Sequence, residues 1–93
     1  MSGPIRVYVI YAERARAWRA ELAIPAGSTA ADALALLARR HPDWPQAALA
    51  PAGLAVYGRE VAATQPLHHG DRLELLRALP TDPKRARRAR AAR

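Results

Sequence analysis

The 93-residue sequence predicts an α+β fold, a mixed five-stranded sheet with one main helix packed on one face. Three observations carry this. Short stretches with apolar residues at every second position recur towards both ends of the chain, the pattern of strands buried on one side. A single Ala- and Leu-rich run, Ala30 to Arg40, repeats its apolar positions at helical spacing. Gly70-Asp71 marks a sharp turn directly before the last strand, because Gly adopts positive φ without penalty and Asp bonds its own backbone.

The elements follow in order. After Ser2, Gly3 and Pro4, Ile5 to Tyr11 forms the first strand, with Ile5, Val7 and Val9 facing one way and Arg6, Tyr8 and Ile10 the other. Glu13 to Ala17 makes a polar hairpin tip. Trp18 to Ile24 returns, with Trp18, Ala20, Leu22 and Ile24 opposed to Arg19, Glu21 and Ala23, and Pro25-Ala26-Gly27 ends it. Thr29, with Asp32 three residues on, predicts a capping box at the helix start. On a 3.6 period Ala30, Ala33, Leu34, Leu37 and His41 share a face. Leu36 falls off that stripe and is expected to be partly exposed or covered by the next loop. Arg39, Arg40 and His41 put positive charge where the helix dipole favours it.

His41-Pro42-Asp43-Trp44-Pro45 breaks the helix, since each proline disfavours helical geometry in the residue before it. Gln46 to Ala52 has room for one helical turn. Leu54 to Tyr57 reads as a short third strand, Gly58-Arg59 as a tight turn and Glu60 to Ala62 as a very short fourth. Ala63 to Leu67 then crosses back to the Gly70-Asp71 turn. The last strand, Arg72 to Ala78, places Leu73 and Leu75 on one face and Arg72, Glu74 and Leu76 on the other. Pro80 stops it, and Thr81-Asp82-Pro83 reads as a helix start. The periodicities direct Val7, Val9, Leu22, Ile24, Leu34, Leu37, Leu54, Val56, Leu73 and Leu75 at one helix–sheet interface. Each contributes roughly 1.5–3 kcal/mol when fully buried, before entropy is subtracted. The order β-β-α-β-β-β with one helix is the plan of the β-grasp, or ubiquitin-like, fold.

Residues 1–80 form this domain, and residues 81–93 a basic C-terminal tail. The tail is expected to be mobile or a nascent helix, because Ala86 and Ala89 make too thin an apolar stripe to anchor it. Charge is divided accordingly: residues 1–79 hold nine Arg against seven acids, whereas residues 80–93 hold six basic residues against Asp82, so the net +7 is mostly tail. Fourteen of the fifteen basic residues are Arg in a chain crowded with Ala, which reads first as a codon-composition bias. The absence of cysteine excludes disulfides, Fe–S ligation and a nucleophilic thiol. No apolar run approaches the length of a membrane span and no basic-then-apolar leader is present, so the cytoplasm is the expected compartment.

The residue inventory offers little for catalysis, and no enzyme activity, cofactor or metal is expected. His68-His69 is the only metal-like feature. Adjacent turn residues point apart, and no further His or Cys completes a set, so the pair reads as part of a solvated turn. The acids of the body are scattered, without a pair for acid–base work. β-Grasp sulfur carriers end in a thin Gly-Gly terminus. Here Arg90-Ala91-Ala92-Arg93 stands instead, which sets that role aside unless the tail is processed.

Two features remain as interaction candidates. On the sheet face turned away from the helix, Tyr8, Ile10, Tyr57 and Leu76 are expected on neighbouring strands, with Ala55 close by. Contiguous exposed groups of this kind mark partner surfaces, although a small domain leaves some apolar groups exposed in any case. In the tail, Lys84, Arg85, Arg87, Arg88 and Arg90 form a basic run. It can dock on RNA, an acidic protein or an anionic surface with steep salt dependence, or serve only as a solubilising terminus. It lacks the aromatic groups that an RNA-reading module stacks on bases.

The run Leu67-x-x-Gly70-Asp71-x-Leu73-Glu74-Leu75, followed by Asp82-Pro83-Lys84 and an Arg-rich end, resembles the C-terminal half of the RnfH family of small bacterial ubiquitin-like proteins. Val7-x-Val9-x-Tyr11-Ala12 is similar to that family's first strand and Val56-Tyr57-Gly58 to its third. Leu76 stands where the family usually has an aromatic and Ala78 where it usually has proline, and Trp44 is not typical of it. The resemblance implies a non-enzymatic protein-interaction module. It further implies an accessory role beside an Rnf-type electron-transport complex, or an antitoxin-like role beside a START-like protein described as a ribosome-association toxin. The alternative is an RNA- or ribosome-binding protein acting through the tail. The oligomeric state is left open.

Overall fold

The computed structural model describes residues 3–77. Five strands, β1 (Ile5–Ala12), β2 (Ala17–Ile24), β3 (Gly53–Val56), β4 (Arg59–Val61) and β5 (Arg72–Leu76), build one sheet in the order β2-β1-β5-β3-β4. β1 and β5 run parallel at its centre, and every other pairing is antiparallel. Helix α1 (Ala30–Arg40) lies on one face, with the one-turn α2 (Gln46–Leu49) beside it. The tail from residue 81, the expected helix start at Thr81-Asp82-Pro83 and the stop at Pro80 lie outside the described residues.

The helix begins where the sequence places it. Thr29 Oγ1 accepts from the Asp32 N–H and Asp32 Oδ2 accepts from the Thr29 N–H, completing the capping box. Two further N–H groups of the first turn, which no helix can satisfy internally, donate to the crossing segment: Ala30 to Gln65 O and Ala31 to Ala63 O. Leu67 N–H then bonds Ser28 O, and Leu67 itself is buried. The crossing segment therefore closes the end of the core as well as connecting β4 to β5.

The core sits between α1 and the sheet. Of the ten side chains expected there, Val7, Val9, Leu22, Ile24, Leu37, Leu54, Leu73 and Leu75 are buried, while Leu34 and Val56 are half-buried against them. Leu36 is also half-buried on the core's margin. Ala30 and Ala33 of the helix stripe join them, and Tyr11, Trp44, Ala48 and Leu67 complete the core beyond that expectation. Trp44, read as part of a helix-breaking loop, is 6% exposed and packs with its ring centroid 5.8 Å from Trp18 and 5.5 Å from His41.

The turn between β3 and β4 differs by one residue from the expected Gly58-Arg59. Val56 pairs with Arg59, so the loop is Tyr57-Gly58, and both residues have positive φ, 50° and 78°. That is the geometry of a two-residue type I′ turn, whose twist matches the flanking strands. Arg59 consequently opens β4 rather than belonging to the turn. At the turn before β5, Gly70 (φ 87°) lets its own N–H reach Arg6 O, while Asp71 Oδ2 accepts from the His68 N–H.

Candidate partner-binding face

The face of the sheet opposite α1 is built by the alternate residues of the same strands. Across the registers, Tyr8 of β1 stands beside Arg72 of β5, and Ile10 beside Glu74. Ala55 lies beyond Glu74, flanked in turn by Glu60. Tyr57 follows β3 at the level of Arg72, its N–H directed to Arg72 O. The sheet thus sets Tyr8, Arg72 and Tyr57 in one row, each about 4.8 Å from the next in backbone spacing.

These two tyrosines are the exposed large hydrophobic residues among those described, 43% for Tyr8 and 60% for Tyr57. The Arg72 guanidinium lies 5.8 Å from the Tyr57 ring centroid, within range of a cation–π contact. Tyr57 is held by its hydroxyl, which donates to Gly70 O at 2.5 Å. Arg72 Nη2 meets Glu74 Oε1 at 3.4 Å, and the same carboxylate oxygen accepts from the Gly58 N–H at 3.1 Å. Glu74 therefore ties the side chain of Arg72 to the turn that presents Tyr57. On the β2 side Tyr8 borders an open depression of about 460 Å³, lined also by Ile10, Arg19, Glu21 and Arg72, with Val9 and Ala20 contributing from beneath.

Of the expected face residues, the structure brings Tyr8 and Tyr57 together around Arg72, with Ile10 one pleat along. Leu76 lies apart, at the far end of β5. It is half-buried and leans over Gly53, where a built Cβ would meet Leu76 Cδ1 at 3.3 Å. Glu74 separates it from the tyrosine row, so the apolar groups do not form one continuous patch. Arg72 is not among the expected partner-binding residues, although its alternation with Glu74 and Leu76 already places it on this face. The tail residues Lys84, Arg85, Arg87, Arg88 and Arg90 lie outside the described residues.

The histidine pair has a structural use here. His69 Nδ1 accepts from the Arg6 N–H at 3.1 Å, fastening the Gly70 turn to the start of β1. His68 Nδ1 lies 3.8 Å from Asp71 Oδ2 and is largely exposed. Among the described residues no group of three or more His, Cys, Asp or Glu is arranged to hold a metal, and no helix is long and apolar enough to cross a membrane.

Residues 5–90 match the family model described as RnfH family Ubiquitin. The chain is 41% identical to Protein RnfH of Halorhodospira halophila, over 98% of this chain and 93% of that protein. It is 38% identical to Protein RnfH of Pseudomonas savastanoi pv. phaseolicola, over 96% and 86% respectively. Among solved structures it is similar to a putative molybdopterin converting factor, subunit 1, from Pyrococcus furiosus, with a TM-score of 0.64 at 22% identity, covering 81% of this chain and 99% of that one. At that identity the likeness shows the fold alone.

Proposed function

The chain belongs to the RnfH family of ubiquitin-like proteins, and we propose that it works as a non-enzymatic interaction module whose open sheet face docks a protein partner. One observation carries the reading: two exposed tyrosines flank an arginine on the sheet face opposite α1. Tyr and Arg are among the residues that most often dominate binding energy at interfaces, because they offer large contact area with a polar end. The backbone supports it too. Tyr57 occupies the left-handed region, where Asn or Gly is the usual choice in a type I′ turn. A bulky aromatic stands here at a position that disfavours it; its hydroxyl is tied to Gly70 O while the residue stays 60% exposed, which leaves the ring available for contact.

The finer reading follows the family resemblance. The partner is a component of an Rnf-type electron-transport complex, or a START-like protein in an antitoxin-like pairing. The test is direct binding of each purified candidate to the full chain, to Tyr8→Ala, to Tyr57→Ala and to a truncation ending at Pro80, at low and high salt. Each tyrosine variant is expected to weaken binding by about tenfold or more, and the truncation to bind as the full chain does. Loss of binding on truncation, with a steep salt slope, would instead favour the RNA- or ribosome-directed tail.

A further inference from the structure

The two edges of the sheet are unequal. β4 is three residues long and follows a tight turn, whereas β2 runs for eight residues without a proline. A long uncovered edge is a template for a further strand. The hairpin fixes which of its groups point outward. The Glu13 N–H donates to Arg16 O across the hairpin, so pairs at alternate positions from there, 11/18, 9/20 and 7/22, are the hydrogen-bonded ones. The opposite side of β1 agrees, since Tyr8 N–H bonds Asp71 O and Arg6 O accepts from Gly70 N–H, both directed towards β5. Ala17, Arg19, Glu21 and Ala23 therefore turn their N–H and C=O groups outward from β2, and none of them has a backbone partner there among the described residues.

We propose that this edge pairs with the same edge of a second copy of the chain, antiparallel and centred on Ala20. Outward-pointing residues must face one another for the ladder to form, which restricts the register to steps of two. Centred on Arg19 the strands would set Arg19 against Arg19, and centred on Glu21 they would set Glu21 against Glu21, both repulsive. Centred on Ala20 they set Arg19 of each copy against Glu21 of the other, twice, with Ala17 against Ala23 and Ala20 facing itself across the two-fold axis. Arg19 and Glu21 are both exposed on the open face, and Glu21's contact with Arg6 is a surface pair at 3.6 Å. The self-complementary order Arg19-Ala20-Glu21 thus selects both occupant and register, as a two-fold contact requires. The five strands of each copy become one continuous sheet, with both tyrosine rows on the same side. The edge adjoins the partner-binding face, since Arg19 and Glu21 also line the depression beside Tyr8, but the inference rests on the strand edge and does not depend on that reading.

The test is sedimentation of the full chain from micromolar to near-millimolar concentration, alongside Arg19→Glu, Glu21→Arg, their equimolar mixture and Glu21→Pro. A monomer–dimer equilibrium is expected for the parent chain. Each single reversal should weaken it by about tenfold, because attraction at two cross-strand pairs becomes repulsion. Mixing the two variants should restore it, since the acidic pair of one variant then faces the basic pair of the other at both positions. Glu21→Pro removes an outward N–H without touching the ladder to β1, so it should abolish the dimer while leaving the circular dichroism of the fold intact. A parent chain that stays monomeric throughout would overturn the proposal. So would a dimer indifferent to the reversals, or an edge that takes up extended peptides but never itself.

Discussion

The two faces of this sheet are made by the same five strands, yet they are put together on different terms. On the helix side Val7, Val9, Leu73 and Leu75 stand on adjacent central strands without interruption, and all are buried. On the open side the central strand carries Arg72, Glu74 and Leu76, so charge divides whatever apolar surface the neighbours supply. The first face is defined by area removed from water, which is additive and tolerant of which apolar residue supplies it. The second is defined by a few side chains held in register by hydrogen bonds, Tyr57 to Gly70 O and Glu74 to the Gly58 N–H and Arg72. Substitutions on the two faces should accordingly separate stability from binding.

The largest effect belongs to the covered face. Leu73→Ala, at a site with no exposure, should lower unfolding free energy by about 2–5 kcal/mol through lost burial and a residual cavity. The midpoint of urea unfolding reads this directly, and a change under ~1 kcal/mol would break the division between faces. Thr29→Ala should come next, at about 1 kcal/mol, because it removes the acceptor for the Asp32 N–H at the helix start. Urea unfolding again measures it, and Thr29→Ser should recover most of the loss.

Tyr57→Asn sharpens the comparison. Asn suits the left-handed turn position better, while the hydroxyl bond to Gly70 O is lost, so the two changes offset and stability should stay within about 1 kcal/mol of the parent. Binding to the partner should nevertheless fall. An effect of no more than about 1 kcal/mol in stability is expected at Tyr8→Ala, the cost of replacing a partly exposed aromatic by Ala within a strand. A large destabilisation there would mean that the ring supports the fold and is not free to meet a partner.

What can be read from the chain before its structure follows the same physics. Strands β1, β2 and β5 and helix α1 declare themselves through period, capping box and turn residues, because each signal is local. Tyr11 falls on the covered face by simple alternation with Val7 and Val9. Trp44 does not, for a proline-flanked loop has no period to say which way a side chain turns, and its burial against Trp18 is a tertiary event. Leu67 is hidden for a related reason. It is buried because the crossing segment satisfies the first N–H groups of α1, a contact between residues far apart in sequence. The tyrosine row is half visible in the sequence. Alternation places Tyr8, Arg72 and Leu76 on one face, but only the register between β1, β5 and the β3–β4 turn shows that Arg72, and not Leu76, stands between the tyrosines.

The central claim is that the sheet face opposite α1 is the docking surface. It is tested most directly by following backbone amide shifts of the ¹⁵N-labelled full chain as each candidate partner, the START-like protein or the Rnf-complex component, is added. Changes concentrated at Tyr8, Ile10, Tyr57, Arg72 and Glu74 are predicted, with the exposed side of α1 around Asp32 and Arg39 unmoved. Changes confined to that helix or to Lys84 and the arginines beyond it would contradict the claim.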